Sequence, residues 1–267
     1  VLPSDFPPAN KRLGQNFLID HNIVRKIVAA ADIGQDSTVL EVGPGRGILT
    51  EALSAAAGRV VAVEIDPLLC QMLENRQAKW PNVEFICADA LSYPLDQLPV
   101  GTIVVANLPY YVSTPLLFRL LDARRRFPRL VLMLQEEVVD RLVAKPGGSE
   151  YGVLSVMAQY AADIHKSFRV SAQCFRPRPE VGSAVVRLLV RERSGLTAEA
   201  EREFRLLVKA AFAHRRKTLI NSLRDEGYLV SRATDVLNRL GFPLNARAET
   251  LSVSDFIALT GQFRETN

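Results

Sequence analysis

A sequence of 267 residues with 48% apolar side chains can bury the core of one α/β domain together with a small appendage. No apolar run approaches the ~20 residues that a membrane helix needs, so nothing in it is expected to span a bilayer. The net charge of +4 is unevenly spread: residues 176–224 hold twelve Arg or Lys against five Asp or Glu, which leaves the remainder net negative.

The opening VLPSDFPPANKR reads as a proline-rich arm without the apolar core of a signal peptide, so a soluble, cytoplasmic protein is expected. VLEV (39–42) then predicts a buried strand, and the helical pattern ILTEALSAAA (48–57) follows after Glu41-Val42-Gly43-Pro44-Gly45-Arg46-Gly47. Glycines at a strand-to-helix turn let a ligand approach the backbone, and the helix start offers free N–H groups, so Gly43 and Gly45 are candidate ligand contacts. RVVAVEID (59–66) ends near Glu64, an acid placed where a nucleoside's ribose hydroxyls could be held. The spacing is GxGxG, whereas the dinucleotide fingerprint is G-x-G-x-x-G, so a nicotinamide cofactor is the weaker reading; a purely structural glycine turn is the bland one.

NVEFICAD (82–89) supplies a third strand and delivers Asp89 to the same edge, and TIVVA (102–106) supplies a fourth, followed by Asn107-Leu108-Pro109-Tyr110. An amide, an exposed carbonyl, a rigid proline and an aromatic face at a strand's carboxyl end can grip a planar base and accept hydrogen bonds from its amine. The competing reading is an ordinary strand-to-loop exit. RLVLMLQ (129–135), KSFRV (166–170) and SAVVRLLV (183–190) complete seven strands. The alternation of strand and helix predicts a mainly parallel, Rossmann-like sheet. Before the last strand, CFRPRPEVGS (174–183) is a stiff loop expected to hold Phe175 outward, where it could stack on a base.

Helical patterns follow at about 198–224, 231–240 and 252–264, with Gly241-Phe242-Pro243 separating the last two. Two domains are thus expected: 1–191, with the arm and the ligand site, and an all-helical 192–267. Two basic clusters, Arg124 and Arg125 within RLLDARRRFPR and Arg215, Arg216 and Lys217 within an expected continuous helix, suggest a polyanion partner, the alternative being a solvated face. Cys70, Cys87 and Cys174 are widely spaced without C-x-x-C and are expected to be reduced and buried. His21, His165 and His214 share no ligand spacing, so no metal is expected.

Taken together, LGQNFL, EVGPGRG, NLPYYVSTPLLFRLL, MLQEEVVDRL, FRPRPEVGSAVVRL and RRKTLINSL, in that order, resemble the ribosomal RNA small-subunit adenine dimethyltransferases of the KsgA type, from residue 13 to residue 256. The resemblance implies a class I methyltransferase fold with a helical RNA-binding domain and S-adenosylmethionine as cofactor. By position, Asn16 and Leu18 would contact that cofactor from the arm, Gly43 would lie along its methionine end, Glu64 would hold its ribose, Asp89 would meet its adenine amine, and Asn107 would border the reaction centre. Asn107 and the Leu108 carbonyl would receive the target amine after Pro109 fixes the turn, and Tyr110 and Phe175 would clamp the base. The implied partner is small-subunit rRNA or the immature small ribosomal subunit, met as a monomer, with two transfers to each of two adjacent adenosines. Two rivals stand beside this reading: a large-subunit rRNA adenine methyltransferase of the antibiotic-resistance type, and a non-catalytic RNA-binding factor that keeps the fold.

Overall fold

The computed structural model describes residues 6–191 and 195–265. Their elements, in chain order, are β1 (Phe17–Leu18), α1 (His21–Ala31), β2 (Thr38–Val42), α2 (Ile48–Ala56), β3 (Arg59–Glu64), α3 (Pro67–Glu74), β4 (Val83–Cys87), β5 (Ile103–Asn107), α4 (Ser113–Asp122), β6 (Arg129–Gln135), α5 (Glu136–Val143), α6 (Val153–Ala161), β7 (Ala162–Val170), β8 (Phe175–Arg176), β9 (Ser183–Val190), α7 (Ala198–Phe212), α8 (Leu219–Asp225), α9 (Val230–Arg239) and α10 (Val253–Glu265). Two compact units result. The first holds the described residues up to Val139 together with 162–191, and the second holds Asp140–Ala161 with 195–265. The expected domain boundary falls at 192–194, and the first five residues of the expected arm precede Phe6; both lie outside the described residues.

In the first unit all seven anticipated strands join one sheet, in the order β4-β3-β2-β5-β6-β9-β7. Every neighbouring pair is parallel except those made by β9, which runs antiparallel to both β6 and β7. The central strands are buried along almost their whole length, as sheets with both faces covered require. From β2 the chain steps to β3 on one side, and β5 later pairs on the other, so the crossovers leave β2 in opposite directions and a crevice opens between the ends of β2 and β5.

Helix α1 shows how sequence sets an element here. The Asp20 carboxylate accepts from the backbone of Asn22 and Ile23 and caps the start; Val24, Ile27 and Ala31 then fall on one buried face, which packs on β5, β6 and β9. Burying the two larger side chains contributes roughly 1.5–3 kcal/mol each.

Three expectations need correction. Cys70 in α3 and Cys87 at the end of β4 form a disulfide, with Cα atoms 5.7 Å apart; only Cys174 is a free thiol. The cause is tertiary: parallel pairing sets Cys87 beside Glu64, and α3 folds back over that strand end, which seventeen residues of sequence separation do not reveal. The helix expected through 198–224 is broken, because α7 ends at Phe212 and Thr218 caps a new start, its hydroxyl accepting from Asn221 N–H. His214 to Lys217 therefore lie in a turn rather than on a helix. Finally, Phe175 is buried rather than held outward, at 1% exposure.

The second unit is helical among its described residues. Tyr160 of α6 stacks on Phe204 of α7 at 4.5 Å between ring centres, Phe212 meets Phe256 of α10 at 5.8 Å, and the Tyr151 hydroxyl donates to the Leu251 carbonyl at 2.9 Å. Ser222 completes the α7–α8 corner by donating to the Ala210 carbonyl at 2.8 Å. No helix among the described residues is long and apolar enough to cross a membrane.

Candidate active site

At the crevice between β2 and β5 the sequence places its glycine turn and its Asn-Leu-Pro-Tyr segment side by side, since Val42 pairs with Ala106. Gly43, Gly45 and Gly47 all adopt positive φ. The turn needs glycine for space as well: a Cβ on Gly45 would sit 3.1 Å from the Phe17 ring, and one on Gly47 would sit 2.9 Å from Trp80. Gly47 is also the N-cap of α2, so this turn feeds straight into a helix start.

Glu64 ends β3 beside the turn. Its Oε2 accepts from Gly45 N–H at 3.1 Å, and Oε1 accepts from the amides of Ile65 and Asp66, both at 3.0 Å. A carboxylate offers about four acceptor directions, so one remains for a ligand hydroxyl. Burial, more than those bonds can offset, pushes the Glu64 pKa upward. Glu41, one strand over, is 1% exposed and its Oε2 has no hydrogen-bond partner; burial pushes its pKa up to about 8. Glu64 thus suits a ligand that offers a hydroxyl donor, whereas Glu41 is buried on the neighbouring strand.

The first segment of the chain closes over this edge. β1 and β8 pair as a two-stranded ribbon, Phe17 opposite Arg176 and Leu18 opposite Phe175. Gln15 donates to Asp66 at 2.8 Å, and Arg46 lies over Phe17 at 4.3 Å and Phe6 at 5.1 Å while donating to the Pro7 carbonyl. On the β5 side, Asn107 Nδ2 donates to the Asn16 carbonyl at 3.4 Å, which leaves Oδ1 as an acceptor. Leu108 N–H donates to the Met133 carbonyl at 3.2 Å, so the segment's path is fixed from β6.

The resulting cleft, about 530 Å³ and open to solvent, is lined by Asn16, Gly43, Gly45, Glu64, Asn107, Leu108, Pro109, Tyr110 and Phe175 among the anticipated residues. Leu18 and Asp89 are not in its wall. Leu18 is buried in the ribbon, and Asp89 is exposed just past β4, its carboxylate accepting from Leu91 N–H. Gln15, Ile65 and Tyr111 join the lining without having been anticipated. The motifs LGQNFL and NLPYY contain Gln15 and Tyr111, but only the fold shows that they face the same space.

The basic residues are spread out. Arg124 and Arg125 follow α4, which starts near the Asn107 end of the sheet and returns the chain to the start of β6; they therefore stand at the opposite edge from the cleft. Arg119 of that segment is structural, donating to the Ala90 carbonyl at 2.8 Å. In the second unit Arg215, Arg216 and Lys217 are all exposed; Lys217 pairs with Asp225 and Arg215 donates to the Ser149 carbonyl. Lys217 and Arg224 together hold the Asp225 carboxyl down at about 2. Among the described residues no cluster of His, Cys, Asp or Glu could hold a metal ion.

Known proteins of similar sequence and fold point to one family. A family model described as ribosomal RNA adenine dimethylase matches residues 8–263. Ribosomal RNA small subunit methyltransferase A of Moorella thermoacetica is 44% identical over 261 residues, 94% of this chain and 91% of the relative; that of Geobacter sulfurreducens is 45% identical over 259 residues, 94% of each. Among solved structures, a dimethyladenosine transferase from Plasmodium falciparum superposes with a TM-score of 0.82 at 29% identity, over 93% of this chain and 98% of that one. The 23S rRNA methyltransferase ErmE superposes at 0.73 and 26% identity, over 93% of this chain and all of that one. The seven-stranded sheet is accordingly that of the class I methyltransferases, and the chain belongs to the ribosomal RNA adenine dimethylase family.

Proposed function

We propose that this protein transfers methyl groups from S-adenosylmethionine to the exocyclic 6-amines of two adjacent adenosines near the 3′ end of small-subunit rRNA, within an immature subunit. The observation that carries the reading is the adjacency of two acceptors, Asn107 Oδ1 and the Leu108 carbonyl, to a glycine turn flanked by the buried acids Glu41 and Glu64. The relatives at 44–45% identity favour the small-subunit target over the large-subunit one named for ErmE at 26%. A monomer working in the cytoplasm is the simplest setting for it.

The cofactor's fit rests on the site itself. The free acceptor direction on Glu64 suits a ribose hydroxyl, and the glycine turn admits a ligand against its backbone. Asn16, Gly43 and Gly45 would complete the contacts, and Leu18 and Asp89, outside the present lining, would join only through movement of the ribbon and of the loop after β4. When bound, S-adenosylmethionine supplies an activated methyl on a sulfonium, which leaves as a neutral thioether.

The protein's own work is then on the amine. Adenine's 6-amine is a poor nucleophile because its lone pair is shared with the ring. Accepting its two N–H bonds at Asn107 Oδ1 and the Leu108 carbonyl favours a pyramidal nitrogen whose lone pair is aimed for in-line attack. The amine becomes cationic as the N–C bond forms and loses a proton to solvent afterwards, so no strong base is required. Tyr110 offers a ring face on which the base can stack, contributing ~1–3 kcal/mol, while Phe175, buried in β8, backs the cleft wall; the adenosine must be unpaired to enter.

Labelled S-adenosylmethionine offered with undermethylated small subunits and, separately, with large-subunit RNA tests the reading. Label should map to two adjacent adenosines of the small subunit; label on large-subunit RNA alone, or none despite cofactor binding, would reject it in favour of one of the two rivals. In the same assay Asn107→Ala should lower the single-turnover rate about 100-fold or more with RNA affinity nearly kept, since its bond matters mainly in the transition state.

A further inference from the structure

The Tyr110 hydroxyl lies 2.8 Å from the Ser183 hydroxyl. Stacking on a base requires only the flat face of the ring, which a phenylalanine would provide as well, so the phenolic oxygen calls for its own explanation. Ser183 is unusually well placed to anchor something. It is 1% exposed and opens β9, where it pairs with Gln135 of β6 on one side and Val170 of β7 on the other. Its main chain is therefore fixed from both flanks. The other end of Tyr110 is fixed too: its carbonyl accepts from the Ser113 hydroxyl at 3.0 Å, and Ser113 is 3% exposed. Pro109, just before it, restricts the backbone further.

We infer that Ser183 is a positioning residue for methyl transfer, holding the Tyr110 ring in one orientation against the target adenine by pinning its hydroxyl to the sheet. The inference rests on the proposed reaction. A tyrosine side chain has two torsions to settle, and anchors at the carbonyl and at the phenol leave little freedom in either. A ring released from Ser183 could still stack, so the base would still bind. Its plane would wander, however, and with it the aim of the adenine lone pair, on which the rate of an in-line transfer depends steeply. The effect should thus appear in the chemical step and not in RNA affinity. Burial raises the Tyr110 pKa, which keeps the phenol neutral and fit for this hydrogen bond near neutral pH.

Both ends of the bond can be cut independently. Ser183→Ala, Tyr110→Phe, the double variant and Ser183→Thr would be compared in single-turnover methylation of undermethylated small subunits at saturating S-adenosylmethionine, with RNA affinity and melting temperature measured in parallel. Each single removal should slow transfer about tenfold while RNA affinity changes less than about twofold, and the double variant should be no slower than either single, because both remove one interaction. Ser183→Thr, which keeps the hydroxyl, should recover most of the rate. If Ser183→Ala fails to fold, Tyr110→Phe carries the test from the other side. Near wild-type rates in folded Ser183→Ala or Tyr110→Phe would overturn the inference, as would losses that multiply in the double variant. A wild-type protein that leaves the subunits unmethylated would instead overturn the proposed function itself.

Discussion

Glu64 shows how one side chain can serve two ends. Its carboxylate holds three backbone N–H groups of its own neighbourhood, so alanine at this position would leave those donors unmet and disturb the fold along with the site. Glu64→Gln is the milder change: with its remaining oxygen on Ile65 and Asp66 it keeps the shape and gives up only the Gly45 N–H bond, where its NH2 would face a donor. S-adenosylmethionine affinity should fall about tenfold or more by calorimetry, with the melting temperature lowered less than in Glu64→Ala; unchanged affinity would remove Glu64 from the cofactor site. Glu41 gives a pH signature instead. Its pKa rises from 4.5 to about 8 on folding, so the folded chain binds a proton that the unfolded chain has released between those values. That contribution to stability is full below the unfolded pKa and is lost as pH rises through about 8. Melting temperatures of the cofactor-free protein should therefore fall from pH 5 to pH 8.5 more steeply in wild type than in Glu41→Gln, with the variant the more stable at the alkaline end. Parallel curves would mean that Glu41 ionises without penalty.

At the scale of elements, the strands were legible because most are aliphatic runs ending in a turn, and the positions of Gly43, Glu64 and Asn107 followed from those ends. The ribbon of β1 and β8 was not. Two residues paired with two residues far along the chain leave no periodicity to read, and Phe175 consequently turns inward where its loop's prolines alone suggested outward. The α7–α8 break was not legible: an uninterrupted helical pattern through 198–224 hid it, and Thr218 emerges as the cap of α8 only in the fold. That break changes what the basic cluster can do. Lys217 already faces Asp225 and Arg215 is tied to a backbone carbonyl, so Arg216 is the side chain of the three best able to meet a phosphate. Arg216→Ala should weaken rRNA binding and reduce the slope of log affinity against log salt by about 1, whereas Lys217→Ala should change the slope less, since it also uncovers Asp225. Titrations across a salt series would decide; equal slopes for wild type and Arg216→Ala would place the RNA contact elsewhere.

For the whole molecule, the helical unit is discontinuous in sequence. Its α6 comes before β7, and the rest of it follows β9, so Tyr160 finds Phe204 and Tyr151 finds Leu251 only when both segments are present. Composition marked the tail as helical but could not show that residues 140–161 belong with it, since nothing in their local pattern names a distant partner. A chain cut after residue 191 should consequently leave the aromatic face of α6 uncovered, and light scattering should find it aggregating at temperatures where the full chain stays clear. A truncated chain as tractable as the whole would mean that α6 is complete without its later partners.

The sheet has a comparable peculiarity in β9, which lies between β6 and β7 although it is the last of the three to be made. During translation β7 emerges with no strand to pair with, and the exposed margin of β6 stays open until β9 slides in between them. Ribosomal pausing or premature release between Val170 and Ser183 would thus yield a nascent chain in which the margins of β6 and β7 that β9 will cover both stand unpaired, a ready template for wrong association. The same late strand brings Tyr110 its hydroxyl partner, so completion of the sheet and completion of the reaction centre fall at one moment in the protein's synthesis.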